Sequence, residues 1–253
     1  MDKHKTMSAV TLAFVVLSCF AGDALKFVAV FYNNCATDKM EHRDYRGAIT
    51  DLSSAIKLYP NFARAICNRG VAYESVNDMP NAFRDFNDAI QISPDDAIAH
   101  THRGTILVGQ KRFKDAIDDL DKAIQVDPKA ETAYLLRGLC KSTFEDYRGG
   151  IDDYNRAIGL NPKDAMAWKG RGVARALIND YAGALNDLNK TIALDPSSEA
   201  AYRWRGNIQF LIGNYRAAIA DSTKALEIDP KDTTATQIVA ESKSKVGKGS
   251  RRS

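Results

Sequence analysis

The sequence predicts an all-α solenoid, an array of helix–turn–helix units stacked on one another. Three observations carry this prediction. Six of the seven prolines, Pro60, Pro94, Pro128, Pro162, Pro196 and Pro230, stand 34 residues apart. An Arg-Gly pair recurs in the same step at Arg69-Gly70, Arg103-Gly104, Arg137-Gly138, Arg171-Gly172 and Arg205-Gly206. Between these marks apolar residues recur at intervals of three and four, as in Ile117, Leu120, Ile124 and Ile151, Tyr154, Ile158, which is the period of one helix face.

The first element is a leader. Lys3, His4 and Lys5 precede an apolar run from Ala9 to Phe20, and the small residues Ala21 and Gly22 follow. A basic end, a short apolar stretch and a small-residue site read as a secretory signal peptide over residues 1–21. The run is shorter than the ~20 residues a comfortable membrane span requires. Cleavage after Ala21 would release an exported, soluble chain, periplasmic or secreted. Two alternatives stay open: Val16-Leu17-Ser18-Cys19 resembles a lipoprotein box, which would tether the chain at Cys19, and an uncleaved leader would act as an anchor.

Six units follow, at residues 29–62, 63–96, 97–130, 131–164, 165–198 and 199–232. Each holds two amphipathic segments; in the fifth they cover residues 165–178 and 182–194, parted by the turn Asn179-Asp180-Tyr181. Pro80 falls at the start of its unit's second helix, where a missing N–H costs little. The periodic prolines end each second helix, because proline disfavours helix in the residue before it. Residues 233–253 read as a polar capping helix, about Thr233 to Val246, with a basic tail that carries five cations and no anion from Lys243 onward.

In register with these marks stand Trp168, Gly172, Ala184, Leu188 and Pro196, and likewise Gly70, Tyr73, Ala82, Phe86 and Pro94. The units resemble tetratricopeptide repeats, whose pattern is a large residue, Leu-Gly, Tyr, Ala-x3-Phe and a terminal Pro. The first unit departs most, with Ala36 in the glycine slot and Cys35 in that of the arginine. The resemblance implies a right-handed superhelix whose first helices line a concave groove where a partner peptide or helix lies. The groove residues it points to are Asn33, Arg64, Asn68, Thr101, Leu135, Leu139, Lys169, Val173, Arg203, Trp204 and Asn207, with Ile98 and Met166 on the same stripe. The family's carboxylate clamp for acidic chain ends does not occur in register.

Family members usually carry leucine where this chain carries Arg69, Arg103, Arg137, Arg171 and Arg205. At 100° per residue Arg171 shares the inward stripe of Ala167, Ala174 and Ile178. A second column, Asp51, Asp85, Asp119, Asp153, Asp187 and Asp221, also faces inward. Buried charges of opposite sign, repeated in step, need partners. The expectation is a structural ladder of Arg–Asp pairs, suited to the guanidinium fork. The competing reading takes Arg171, between Gly170 and Gly172, as a phosphate receptor; a phosphate loop needs a preceding strand, and the pattern offers none.

Nothing in the sequence assembles a catalytic site, and no cofactor is implied. His100 and His102 stand two apart on a helix and so cannot chelate together; His100 holds the slot of Tyr134 and Trp168 and reads as a packing residue. Cys35, Cys67 and Cys140 show no CxxC spacing and no metal pattern, although a Cys35–Cys67 bridge is conceivable in an oxidising compartment. A net charge of +3 supplies no field for nucleic acid. The function expected is a non-catalytic, exported scaffold for a partner polypeptide; the alternatives are a membrane-tethered lipoprotein adaptor in envelope assembly or secretion, and an accessory domain of an enzyme complex.

Overall fold

The computed structural model describes residues 9–249, with side chains from residue 23 to residue 247. The basic end of the leader, the side chain of Cys19 and the last residues of the basic tail lie outside the described residues. All regular structure among the described residues is helical. The chain divides into two compact units between Ile106 and Leu107. The first holds α1 (Ala9–Glu41), α2 (Tyr45–Leu58), α3 (Ala63–Ser75), α4 (Met79–Ile92) and most of α5 (Ala97–Gly109). The second holds α6 (Phe113–Val126), α7 (Glu131–Thr143), α8 (Tyr147–Leu160), α9 (Ala165–Leu177), α10 (Tyr181–Leu194), α11 (Glu199–Leu211), α12 (Tyr215–Ile228) and α13 (Thr233–Gly249).

One residue pair makes each sharp turn within a repeat. Arg43, Asn77, Lys111, Glu145, Asn179 and Gly213 all adopt positive φ, near +60° except for Gly213 at 84°. The next N–H then returns to a helix carbonyl: Asp180 N donates to Arg175 O at 2.9 Å and Asp146 N to Lys141 O at 3.0 Å. This is the closure of a helix C-terminus by a left-handed residue. The same aspartates cap the following helix, since Asp180 Oδ1 accepts from Gly183 N and Asp146 Oδ1 from Gly149 N. Stop and start signals thus sit on adjacent residues, and the two helices fold back antiparallel.

At the other end, the residue before each proline closes the second helix. Asp195 N donates to Thr191 O, and its carboxylate accepts from Ser197 N at 3.0 Å. That carboxylate's pKa is lowered chiefly by the hydroxyl and N–H of Ser197. Proline supplies no N–H at the step where the helix must end.

Within a repeat the helices meet at the glycine of the Arg-Gly pair. A Cβ on Gly172 would stand 3.2 Å from Leu188 Cγ, and one on Gly70 would stand 2.7 Å from Phe86 Cε1. Alanine makes up much of the core, and five second helices each add a large residue at the same repeat position: Leu52, Phe86, Leu120, Tyr154 and Leu188. In the second unit the first helices touch in succession, α7 to α9 and α9 to α11, and α13 covers α11 and α12. Ala235 and Ile238 are the buried side of that last helix.

At the start of the chain α1 runs as one helix from Ala9 to Glu41, across the end of the leader and the start of the first repeat. The stretch holds no proline and a single glycine, Gly22, so nothing in it stops a helix. Among the described residues no helix is long and apolar enough to cross a membrane.

Candidate partner-binding face

The charges of the first helices must be located before the surface that remains can be read. Arg171 donates from Nε to Asp187 Oδ2 at 2.9 Å and from Nη2 to Asp187 Oδ1 at 2.7 Å. Arg69–Asp85, Arg137–Asp153 and Arg205–Asp221 repeat this two-bond geometry at 2.5–2.9 Å. All four pairs join the two helices of one repeat. The third guanidinium nitrogen reaches back to the preceding repeat: Arg171 Nη1 donates to Asn155 Oδ1 at 2.6 Å, and Arg137 Nη1 to Asp121. Asn189 accepts from Arg205, Asn87 from Arg103 and Ser53 from Arg69. An aromatic ring lies over the guanidinium of Arg69, Arg137, Arg171 and Arg205, closest at Trp168, whose ring centre lies 4.7 Å from the Arg171 guanidinium carbon.

The first repeat keeps its aspartate but lacks the arginine. There Lys39 Nζ reaches Asp51 at 2.7 Å, from the slot of Lys141 and Arg175, which contact Asp153 and Asp187 at 2.9 Å. The bond to Asp51 holds the Lys39 pKa above its ordinary value. The Asp85 bond does the same for Arg69, and the Asp221 bond for Arg205. Burial pulls Arg137 down, but its bonds to Asp153 and Asp121 outweigh that and raise it. Each guanidinium nitrogen of Arg171 already donates within the fold, and its Nε/Nη2 fork is committed to Asp187, which favours the structural reading over a phosphate receptor.

Gly170 has a different cause from its neighbour. It stands two residues before the Gly172 column, where a Cβ would meet Tyr154 Cε1 of the preceding repeat at 2.5 Å. In the first unit the same slot holds His102, stacked on Phe86 with ring centres 5.3 Å apart and bonded through Nδ1 to Glu74 at 2.6 Å. The slot is glycine over Tyr154, whereas an aromatic ring fills it over Phe86 and over Leu188. Burial pushes the Tyr154 hydroxyl up to about 12.

On the exposed side of the second unit's first helices, Leu139 of α7 is 42 % exposed and Met166 of α9 is 57 % exposed. Leu135 is half-buried against Ala157, Ile158 and Ala167, and Lys169 and Val173 are half-exposed one turn along α9. Trp204 packs on the cluster of Leu188 and Ile208, which leaves it half-buried. Arg203 is not a free cation, because Nε lies 3.0 Å from Glu199 and 3.3 Å from Asp232. Asn207 is half-buried on the same helix. In the first unit Arg64 is exposed, and Ile98 is 60 % exposed. Asn33 is only 5 % exposed and accepts from Asn68 Nδ2 at 3.0 Å, so this pair presents little to a partner. Thr101 turns its hydroxyl to Ala97 O.

Two carboxyl pairs edge this face, which the sequence reading passed over. Burial raises the Glu131 pKa, and a hydrogen bond with Asp164 raises it further. Glu199 is raised by burial and by Asp232 in the same way. Asp232 itself is held low by the N–H of Ala235 and by Arg203, against the effect of burial. Each pair joins a glutamate at the N-terminus of a first helix, in the fourth and sixth repeats alone, to an aspartate 33 residues on, so no column betrays them. Among the described residues no group of three or more His, Cys, Asp or Glu side chains is placed to hold a metal ion. His100 is buried, with Nε2 3.0 Å from Pro94 O. Cys35, Cys67 and Cys140 are free thiols; the conceivable Cys35–Cys67 bridge is not formed, and burial pushes Cys67 up to about 12.

Helix pairs in 34-residue steps, closed by a glycine contact and ending in proline, define an all-α tetratricopeptide repeat fold. The chain belongs to the tetratricopeptide repeat family, which matches residues 36–97, 97–129, 143–199 and 178–233. No curated protein matches the sequence. Among solved structures it is similar to PilF of Pseudomonas aeruginosa, at 14 % identity and TM-score 0.74 over 86 % of this chain and 99 % of the other. PilW, described as a type IV pilus biogenesis factor, shares 21 % identity with TM-score 0.68 over 84 % and 98 %. YrrB, described as a TPR protein with an unusual peptide-binding site, shares 22 % with TM-score 0.64 over 74 % and 96 %. At these identities the likeness establishes the fold.

Proposed function

We propose that this protein is a non-catalytic scaffold that holds a partner polypeptide against the first-helix groove of its repeats. The observation that carries the proposal is the pair Leu139 and Met166, two exposed apolar side chains on adjacent helices, α7 and α9. The charges nearby are committed elsewhere: Arg137 and Arg171 to the ladder, Arg203 to Glu199 and Asp232. What remains for a partner is aliphatic surface flanked by Lys169, which suits an extended or helical segment that inserts apolar side chains. Family membership and the peptide site described for YrrB support this reading.

The protein reaches its partner after export, directed by the basic end and apolar run of the leader. PilF and PilW support an envelope setting by likeness of fold alone. The test compares affinity capture by the wild-type chain and by a Leu139→Ser/Met166→Ser variant, with quantitative mass spectrometry of the bound proteins. A specific partner should be depleted at least about tenfold by the two substitutions, since each removes one buried anchor at the interface. Equal recovery by both baits would remove the groove from the account.

A further inference from the structure

The unusual surface of the first unit is the outer side of α1. Terminal repeats normally present a polar face to solvent, because no further repeat covers them. Here Phe27 is 77 % exposed and Phe31 is 60 % exposed, one helical turn apart, with Leu25, Val28 and Val30 exposed around them. The opposite side of the same helix is bound into the fold through Ala29, Asn33 and Ala36, and α1 packs on α2 and α3. The aromatic side is thus held in place by the repeat and left uncovered.

Three facts identify the occupant. The helix that carries Phe27 and Phe31 is continuous back to Ala9, so the aromatic residues and the apolar run share one helix. No Asp, Glu, Lys, Arg or His occurs between Lys5 and Asp23. Lys3, His4 and Lys5 stand at the far end of that stretch in the sequence, and cations so placed are attracted to anionic headgroups. Asp23 and Lys26 are the two charges before the aromatic residues, and they lie 3.7 Å apart as an i,i+3 pair. Basic end, uncharged length and aromatic far boundary form the order in which a chain meets a bilayer.

We propose that the leader is kept and that α1 inserts into a lipid bilayer, with Phe27 and Phe31 at the boundary between headgroups and hydrocarbon. The inference rests on reading the N-terminal segment as membrane-directed, and it adds that the helix is retained. A cut after Ala21 would fall inside α1 and leave Phe27 and Phe31 uncovered. Held this way, the first repeat stands at the lipid surface and the repeats follow from it.

The test uses the full-length chain expressed with its own leader. Intact mass should begin at Met1, and the chain should stay in the membrane pellet after alkaline carbonate. Purified in detergent, it should float with vesicles of phosphatidylcholine and phosphatidylglycerol. Phe27→Ser/Phe31→Ser should lower the bound fraction by about tenfold, because two large apolar side chains leave the boundary. Helical circular dichroism of that variant should stay unchanged, which separates lost binding from lost folding. A chain beginning near residue 22 in the exported fraction would overturn retention while leaving export intact. A lipid on Cys19 would also overturn it. Intact Met1 without flotation would sink both the inference and the export reading. A concentration-dependent dimer of the chain lacking residues 1–22, lost on Phe27→Ser/Phe31→Ser, would assign the face to a second copy instead.

Discussion

Arg171 holds Asp187 by two parallel hydrogen bonds, Nε to Oδ2 and Nη2 to Oδ1, while its third nitrogen bonds Asn155 one repeat back. A single side chain therefore ties the two helices of its own repeat and joins that repeat to its predecessor. Asp187 is almost fully buried and also accepts from Arg175 Nη1 at 2.9 Å. Arg171→Ala should lower the unfolding free energy by ~1–3 kcal/mol, below the roughly 3–5 kcal/mol of a fully orphaned buried pair, because Arg175 stays to neutralise the carboxylate. Arg171→Lys should recover less than half of the loss, since an ammonium cannot make the two-bond fork. Urea unfolding of the three chains checks both; a loss under about 0.5 kcal/mol would deny the rung any part in stability.

Gly170 exists for Tyr154. Ala is the better helix former by roughly 1 kcal/mol, yet the added methyl would meet the Tyr154 ring at 2.5 Å. Gly170→Ala alone should destabilise by about 1–3 kcal/mol. In a Tyr154→Leu background the same change should turn neutral or stabilising. Thermal melts of the four chains of this cycle decide it, and identical effects in both backgrounds would show that the ring does not set the residue.

Glu145 occupies the left-handed turn position at φ 64°, where Gly213 sits at φ 84° in the sixth repeat. Glu145→Gly should stabilise by about 0.5–1 kcal/mol, because glycine reaches this region without a Cβ penalty that exceeds its added entropy in the unfolded chain. A lower midpoint in urea would mean that the Glu145 side chain contributes something the turn geometry does not require.

Glu131 binds its proton more tightly in the folded state than its ordinary value of 4.5 implies, because of burial and Asp164. Its contribution to stability is complete below that unfolded value and is lost as pH rises through the raised folded value. Glu131→Gln should therefore stabilise the chain at neutral pH, by less than about 1 kcal/mol because the residue is only part-buried. The advantage should vanish near pH 4. Melting temperatures of both chains across that range check the sign; a gain that persists in acid would place its origin elsewhere.

The periodic features were legible because each is a column of one residue type. Proline, Arg-Gly and aspartate repeat by identity every 34 residues, and helix pairs follow from them. The acceptors behind the arginines were not legible, because Ser53, Asn87, Asp121, Asn155 and Asn189 share an oxygen and not a residue type. Gly170 was unreadable for another reason. Its explanation lies on Tyr154, sixteen positions away and in the preceding repeat. On the proposed binding face, spacing placed Leu139 and Lys169 on one stripe, but it could not show that Asn33 is buried or that Arg203 is engaged. Those outcomes depend on partners that lie outside the stripe. The same limit hid the continuity of α1, since a leader and a repeat helix carry different residue patterns yet nothing between them breaks the backbone.

The most direct test of the scaffold account is site-specific photo-crosslinking in cells. A photoreactive residue at Leu139 or Met166 marks the first-helix face, and one at Arg156 or Lys190 marks the exposed side of the second helices. The account predicts one polypeptide joined to positions 139 and 166 and absent from positions 156 and 190. The same polypeptide captured only at positions 156 and 190 would contradict it.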